Sequence, residues 1–224
     1  MIFRIQNILN QDDLSQIRDV CAQAEWVSGK ETAAGSAGQA KENLILRRQD
    51  PQSIKLNKLI LEALMDRGPQ FSEVTYPARI FPMLFSRYDQ GMSYGNHVDN
   101  SILGQPQPMR TDISLTLFLN RPDEYEGGEL VIQSSSGQVS FKANAGDLVG
   151  YPSVSVHRVE PVTRGSRLVA VTWVQSMVSD PLRRTVLYDL SRSIASLKSR
   201  MPDEPELLTL GNSFHTLLRM WAQP

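Results

Sequence analysis

The sequence predicts an α+β fold: an antiparallel β core, sandwich or jelly-roll barrel, covered by N-terminal helices and followed by a C-terminal helical extension. Two changes of period carry this. Apolar residues recur at helical spacing up to about residue 67. From Arg79 to Gln175 the period is 2, interrupted at close intervals by turn clusters, and after Asp180 it is helical again. The chain divides accordingly into residues 1–77, an N-terminal helical support, 78–178, the β domain, and 179–224, the extension.

Bulk properties bound the function. With 224 residues, 41% of them hydrophobic, the chain can bury one sizeable core. Its 23 Lys+Arg balance 24 Asp+Glu, which leaves no electrostatic footprint for general nucleic-acid binding. Cys21 is the only cysteine, so an intrachain disulfide and a Cys-based zinc site are excluded, and a free thiol suits a reducing compartment. The opening Met-Ile-Phe-Arg-Ile-Gln-Asn lacks the pattern of a signal peptide, and the longest apolar run, Leu168 to Val174, is too short to span a bilayer. A cytoplasmic protein without membrane contact is expected.

Ile2 to Ile8 reads as a short strand. A helix follows from about Asp12 to Trp26, capped by Asn10 with Asp13 three residues on, and Leu14, Ile17, Val20, Cys21 and Ala24 share one face. Cys21 is therefore a small buried hydrophobe rather than a nucleophile. Gly29 to Gln39, rich in Gly, Ala and Ser, reads as a mobile loop. Asp50-Pro51 starts a second amphipathic helix, which runs to about Arg67 and is stopped by Gly68-Pro69.

Seven strands are expected next: Arg79–Tyr88, Ile113–Asn120, Glu129–Gln133, Gln138–Lys142, Asp147–Tyr151, Val156–Val162 and Arg167–Gln175. Asp89-Gln90-Gly91, Glu126-Gly127-Gly128, Ser136-Gly137 and Ala145-Gly146-Asp147 read as turns. In the second strand Ile113, Leu115, Leu117 and Leu119 alternate with Ser114, Thr116, Phe118 and Asn120, so one face can meet the helices and the other a partly polar interior. Two helices follow, Leu182 to Arg200 and Leu207 to Trp221. The first has a basic side that reads as solvated, with an acidic partner or second subunit as the rival.

The chemistry lies in two stretches, Tyr88 to Asp99 and His157 to Arg167. His97 and Asp99 are two apart, which in extended chain points both side chains to one face. A lone His-X-Asp pair is weak evidence, because exposed loops contain such pairs by chance. His157 lies 60 residues on, beside an apolar strand that can return next to the first in a barrel. Two histidines and a carboxylate on one side of a metal form the facial triad of non-haem Fe(II) oxygenases, with the opposite positions open. Arg167 adds weight. It shares a face with Val169, Val171 and Trp173, so it points inward, where a guanidinium needs an anion and suits a bidentate carboxylate. An internal ion pair to Asp112, Asp147 or Glu160 is the bland alternative. Tyr88, on the inward face with Leu84 and Ser86, can give the same carboxylate a second hydrogen bond. Tyr94 can reach substrate or merely pack.

Tyr-X₅-Tyr-X₂-His-Val-Asp-Asn, Gly-Gly-Glu-Leu at 127–130, Ala-Gly-Asp-Leu at 145–148 and His157-X₉-Arg167 together resemble the prolyl-4-hydroxylase-type Fe(II)/2-oxoglutarate dioxygenases. The N-terminal helices and the tail resemble more specifically the bacterial PKHD-type hydroxylases, the PiuC/YbiX group. The resemblance implies a double-stranded β-helix at 78–178, Fe(II) on His97, Asp99 and His157, and 2-oxoglutarate held by Arg167 with help from Tyr88. It also implies O₂ as co-substrate, ascorbate as a reductant, and hydroxylation with release of succinate and CO₂. Collagen-type relatives in animals place a lysine where Arg167 stands, and either cation can pair a carboxylate. The substrate stays open between a prolyl residue and a small molecule, with contacts expected from Tyr94, Asn100 to Gln107 and the loop near residue 35. The tail helices either close the barrel's end or form a homodimer. Two rival readings remain at this point: a non-catalytic iron or 2-oxoglutarate sensor on the same fold, and a cupin-like metalloenzyme in which Arg167 is a structural ion pair.

Overall fold

Leucines and isoleucines on one face of a strand and serines and threonines on the other can be satisfied only between an apolar layer and a polar cleft. That is where the second predicted strand lies. The computed structural model describes residues 1–32, 40–134 and 136–223. In chain order the elements are β1 (Phe3–Ile5), α1 (Gln11–Gln23), β2 (Val27–Ser28), β3 (Lys41–Glu42), β4 (Leu44–Ile45), α2 (Pro51–Arg67) and α3 (Pro69–Thr75). The β domain follows with β5 (Pro77–Ile80), β6 (Leu84–Tyr88), β7 (Ser93–His97), β8 (Ile102–Leu103), β9 (Met109–Arg110), β10 (Ile113–Phe118) and β11 (Tyr125–Gly127). It continues with β12 (Leu130–Ser134), β13 (Gly137–Phe141), β14 (Leu148–Pro152), β15 (His157–Val159), β16 (Val162–Gly165) and β17 (Arg167–Ser176), and the chain ends on α4 (Pro181–Arg200) and α5 (Glu206–Trp221).

Two antiparallel sheets make the core. The larger runs β1-β14-β10-β17-β6-β4-β2, with β5 also on β17, and the smaller runs β13-β12-β15-β7-β3. Ile113, Leu115, Leu117 and Leu119 pack with Leu14, Ile17 and Cys21 of α1 and Leu56, Ile60 and Leu64 of α2, so these helices cover the outer face of the larger sheet. The inner faces of both sheets meet in a second apolar cluster that includes Phe118, Val149 and Val169 from one sheet and Leu130, Ile132 and Val159 from the other. This is the expected jelly-roll core with N-terminal helices over it.

Local chemistry sets the element ends. Asn10 and Asp13 form a reciprocal capping box at α1, and Asp50 caps α2 ahead of Pro51. Prolines account for two differences from the predicted strands. Arg79–Tyr88 splits into β5 and β6 at Phe81-Pro82, and Val156–Val162 splits into β15 and β16 at Glu160-Pro161, because proline cannot donate to a ladder. Glu126-Gly127-Gly128 is only partly a turn, since Tyr125 to Gly127 pair with Val162 to Gly165. The opening strand is cut to Phe3–Ile5, with Asn7 at a φ of 56°. The helix α3, started by Pro69, and the short strands β2, β3 and β4 go beyond the pattern reading. Of the loop expected at 29–39, Gly29–Thr32 is a single 3₁₀ turn, and residues 33–39 lie outside the described ones.

The extension is fastened to the barrel by a small buried cluster, by Tyr188 against the main core and by the Gln70 amide donating to the Tyr188 hydroxyl at 3.2 Å. Leu187 of α4 is fully buried with Val178 and Tyr76. Arg184, itself buried, donates to the carbonyls of Val178 (2.6 Å) and Ser179 (2.8 Å). The outer faces of α4 and α5 expose Leu182, Val186, Leu208 and Met220. No described helix is long and apolar enough to cross a membrane.

Candidate active site

The inner faces of the two sheets enclose a cavity of about 140 Å³, and every sequence-predicted site residue lines it. His97 ends β7 and Asp99 stands two residues on, just past the strand. His157 opens β15, which pairs with β7 so that His157 sits directly opposite His97. Strand pairing therefore brings together residues 60 apart in sequence. One ligand-type atom from each of His97, Asp99 and His157 lies within 4.8 Å of the others.

Their neighbours orient these side chains. Nδ1 of His97 lies 2.8 Å from the Gly95 carbonyl, and Nδ1 of His157 lies 3.0 Å from that of Ser155. Each Nδ1–H donates to a carbonyl, which leaves each Nε2 lone pair for the cluster, the arrangement common to metal-bound imidazoles. His157 Nε2 is 3.8 Å from Asp99 Oδ2. Ser114 donates to that same oxygen at 2.5 Å and lies 2.8 Å from the Ser153 hydroxyl. Tyr94 stacks on His97 with ring centroids 3.6 Å apart, and Tyr151 meets the His157 ring edge-on at 4.9 Å. Burial, followed by the neighbouring His157, lowers the His97 pKa to about 4. The His97 imidazole is thus neutral at physiological pH, with a lone pair to give, and two imidazoles with a carboxylate are a donor set that fits a divalent iron.

Arg167 opens β17 and is 1% exposed. The bland alternative for it fails. Asp147 is paired with Arg4, Asp112 with Arg110 and Glu160 with Arg158. The Arg167 Nε is buried with no hydrogen-bond acceptor among the described residues. The guanidinium lies instead over the rings of Tyr88 (5.2 Å) and Phe118 (5.5 Å). Leaving a buried charge unpaired is worth several kcal/mol, so this cleft fits a carboxylate from outside the protein. Tyr88 stands opposite Arg167 across the β6–β17 ladder, and burial pushes its phenol up to about 12, which keeps it a neutral donor. Gly128 makes room here. Its φ is +68°, and a Cβ at that position would sit 3.0 Å from Arg167 Cδ.

Several cavity residues were given no part in the site by the sequence: Ser114, Tyr151, Lys41 and Arg48, with Trp173 expected to point inward but without a role. Ser114 had a signal, since alternation turned it inward, but nothing indicated that it would meet Asp99. Lys41 and Arg48 had none, because β3 and β4 are two residues each. Asn100 and Leu103, from the expected rim loop, do line the cavity.

Comparison with known proteins decides the family. Residues 83–175 match the 2OG-Fe(II) oxygenase superfamily, and residues 182–223 match the PKHD-type hydroxylase C-terminal domain. A PKHD-type hydroxylase of Saccharophagus degradans is 44% identical over 226 residues, all of both chains. The chain belongs to the PKHD-type hydroxylases. Like the family it is an Fe(II)- and 2-oxoglutarate-dependent oxygenase. The fold is shared with a Pseudomonas putida prolyl-4-hydroxylase (TM-score 0.54, 19% identity, 78% of this chain and 92% of that one). It is shared too with a Trichoplax adhaerens prolyl hydroxylase solved with a peptide fragment (TM-score 0.56, 15% identity, 83% and 86%). The PKHD-type extension corresponds to α4 and α5, and the oxygenase match takes in β6 to most of β17.

Proposed function

We propose that His97, Asp99 and His157 are the iron ligands, that Arg167 seats the distal carboxylate of 2-oxoglutarate with Tyr88 beside it, and that the cavity hydroxylates a C–H bond of a prolyl residue or a small molecule. The observation that carries this is the pairing, within one cavity, of a two-histidine, one-carboxylate cluster with a buried arginine that has no carboxylate partner, and whose Nε has no acceptor, among the described residues. When bound, Fe(II) with 2-oxoglutarate and O₂ supplies the oxidising power: one oxygen atom goes to succinate as CO₂ leaves, the other to the substrate as hydroxyl.

The protein's own residues position and shield. Gly95 and Ser155 carbonyls fix the imidazole tautomers, Ser114 holds Asp99, and Arg167 with Tyr88 sets the direction from which the co-substrate enters. Leu130, Val159 and Val171 supply apolar wall. No side chain is required as general base.

The test is anaerobic titration of the metal-free protein with Fe(II) and then 2-oxoglutarate, followed through the metal-to-ligand charge-transfer band, before O₂ is admitted and succinate assayed. A band followed by slow succinate release is expected. Bound iron with no band on adding 2-oxoglutarate would overturn the assignment.

A further inference from the structure

The cavity contains a second cationic end that the iron and 2-oxoglutarate assignments do not use. Lys41 and Arg48 both line it. They come from one short stretch that crosses between the sheets: β3 lies on β7 at the edge of the smaller sheet, and β4 lies on β6 in the larger one. Neither cation is paired with a carboxylate among the described residues. Lys41, 6% exposed, donates from Nζ to Thr32 Oγ1 at 2.8 Å and faces the Tyr94 ring at 5.4 Å. Arg48 lies against the Phe81 ring at 4.9 Å, and its Nε is buried without an acceptor among the described residues. Phe81 meets Trp173 edge-on at 6.2 Å, and the indole N–H of Trp173, a residue of the same cavity wall, is also buried without an acceptor among the described residues.

Donors thus gather at this end, and two of them, Arg48 Nε and the Trp173 indole N–H, have no acceptor among the described residues, while Lys41 has only a neutral hydroxyl. A buried donor without a partner carries its full desolvation penalty, and two neighbouring cations add mutual repulsion. Burial and then Arg48 lower the Lys41 pKa to about 8. These opposing terms are relieved together by a ligand rich in acceptors and negatively charged. The co-substrate does not fill that role. Arg167 is surrounded by Tyr88, Phe118 and Tyr125, whereas the charges that act on Lys41 are Arg48 and Asp99. A single diacid that chelates at the triad and reaches Arg167 leaves the second end open.

We infer that the substrate hydroxylated here carries an oxyanion, a carboxylate or a phosphate, received by Lys41 and Arg48 with the Trp173 indole N–H beside them. This rests on the iron and 2-oxoglutarate reading above. Lys41 and Arg48 then determine specificity, selecting the anionic substrate and fixing its distance from the iron.

The test uses the full chain with Fe(II) and 2-oxoglutarate bound anaerobically at constant ionic strength. It is titrated with N-acetylproline against N-acetylprolinamide, benzoate against benzamide, and phenyl phosphate against phenol. Binding is read from tryptophan fluorescence and from perturbation of the charge-transfer band. At least one anion should bind tenfold or more tightly than its neutral counterpart, and the better of the carboxylate and phosphate series names the group. Lys41→Gln and Arg48→Gln should each remove that preference, and Arg48→Lys should restore most of it, with 2-oxoglutarate affinity within about threefold of wild type throughout. Equal binding of anions and neutral counterparts by the wild type would overturn the inference. So would loss of 2-oxoglutarate affinity in step with anion affinity, which would place both cations in the co-substrate site. Absence of the charge-transfer band in the wild type, seen before any probe is added, would instead overturn the iron assignment on which the inference stands.

Discussion

At the scale of single residues, Arg167 and His97 show how burial changes what ordinary side chains can do. Arg167 is held between two aromatic rings with its Nε unpaired. Arg167→Ala should therefore weaken 2-oxoglutarate binding at least about 30-fold, corresponding to roughly 2 kcal/mol or more for a desolvated charge pair, with Fe(II) affinity little changed; equilibrium titration of both ligands checks this. For His97 the sign follows from the lowered pKa. Folded, the ring takes a proton only near pH 4; unfolded, it takes one near pH 6.5, roughly the free value. The unfolded chain binds more protons in that window, so the metal-free protein should lose stability as pH falls from about 6.5 towards 4. Thermal midpoints measured across that range test it, and His97→Gln should flatten the dependence. Both residues were legible in the sequence, one from a two-residue spacing and one from strand alternation. Ser114's bond to Asp99 was not, because a hydroxyl's partner depends on which strands meet, and pattern alone does not carry that.

Among the elements, the long ones declared themselves and the short ones did not. The helices α1, α2, α4 and α5 each run three turns or more, enough for an apolar stripe to repeat, and caps marked the starts of α1 and α2. Strands of two residues such as β3 and β4 have no period to read, yet they carry or lead to Lys41 and Arg48. The turn at Gly127-Gly128 was visible, but its purpose was not. A Cβ at Gly128 would crowd Arg167 Cδ and Val162 Cγ2, both at 3.0 Å, at a φ that side chains rarely adopt. Gly128→Ala should cost about 1–2 kcal/mol of stability from backbone strain and should also weaken 2-oxoglutarate binding. Gly91→Ala is the control: φ there is +86° with nothing within 4 Å of the added Cβ, so it should lower the thermal midpoint and leave co-substrate affinity alone. Equal 2-oxoglutarate affinity in both variants would remove Gly128 from the site.

For the molecule as a whole, two sheets with helices on one outer face and a fastened tail make the cavity a property of the entire chain. Leu187 is fully buried against Val178 and Tyr76, and Leu187→Ala should cost about 2–5 kcal/mol by the usual cavity penalty. Limited proteolysis should then release the segment after residue 179 while residues 1–178 persist; simultaneous loss of both parts would mean that the tail and barrel unfold as one. The opposition of His97 and His157 across the β7–β15 ladder has a consequence for folding as well. The two imidazoles come together only after a 60-residue loop has closed, and such closures are entropically costly and slow compared with local turns. Metal affinity is therefore absent until that ladder exists. In a refolding experiment, uptake of a spectroscopic divalent ion should trail the rise of helical signal and keep pace with sheet formation, making the metal a clock for the closing of that ladder.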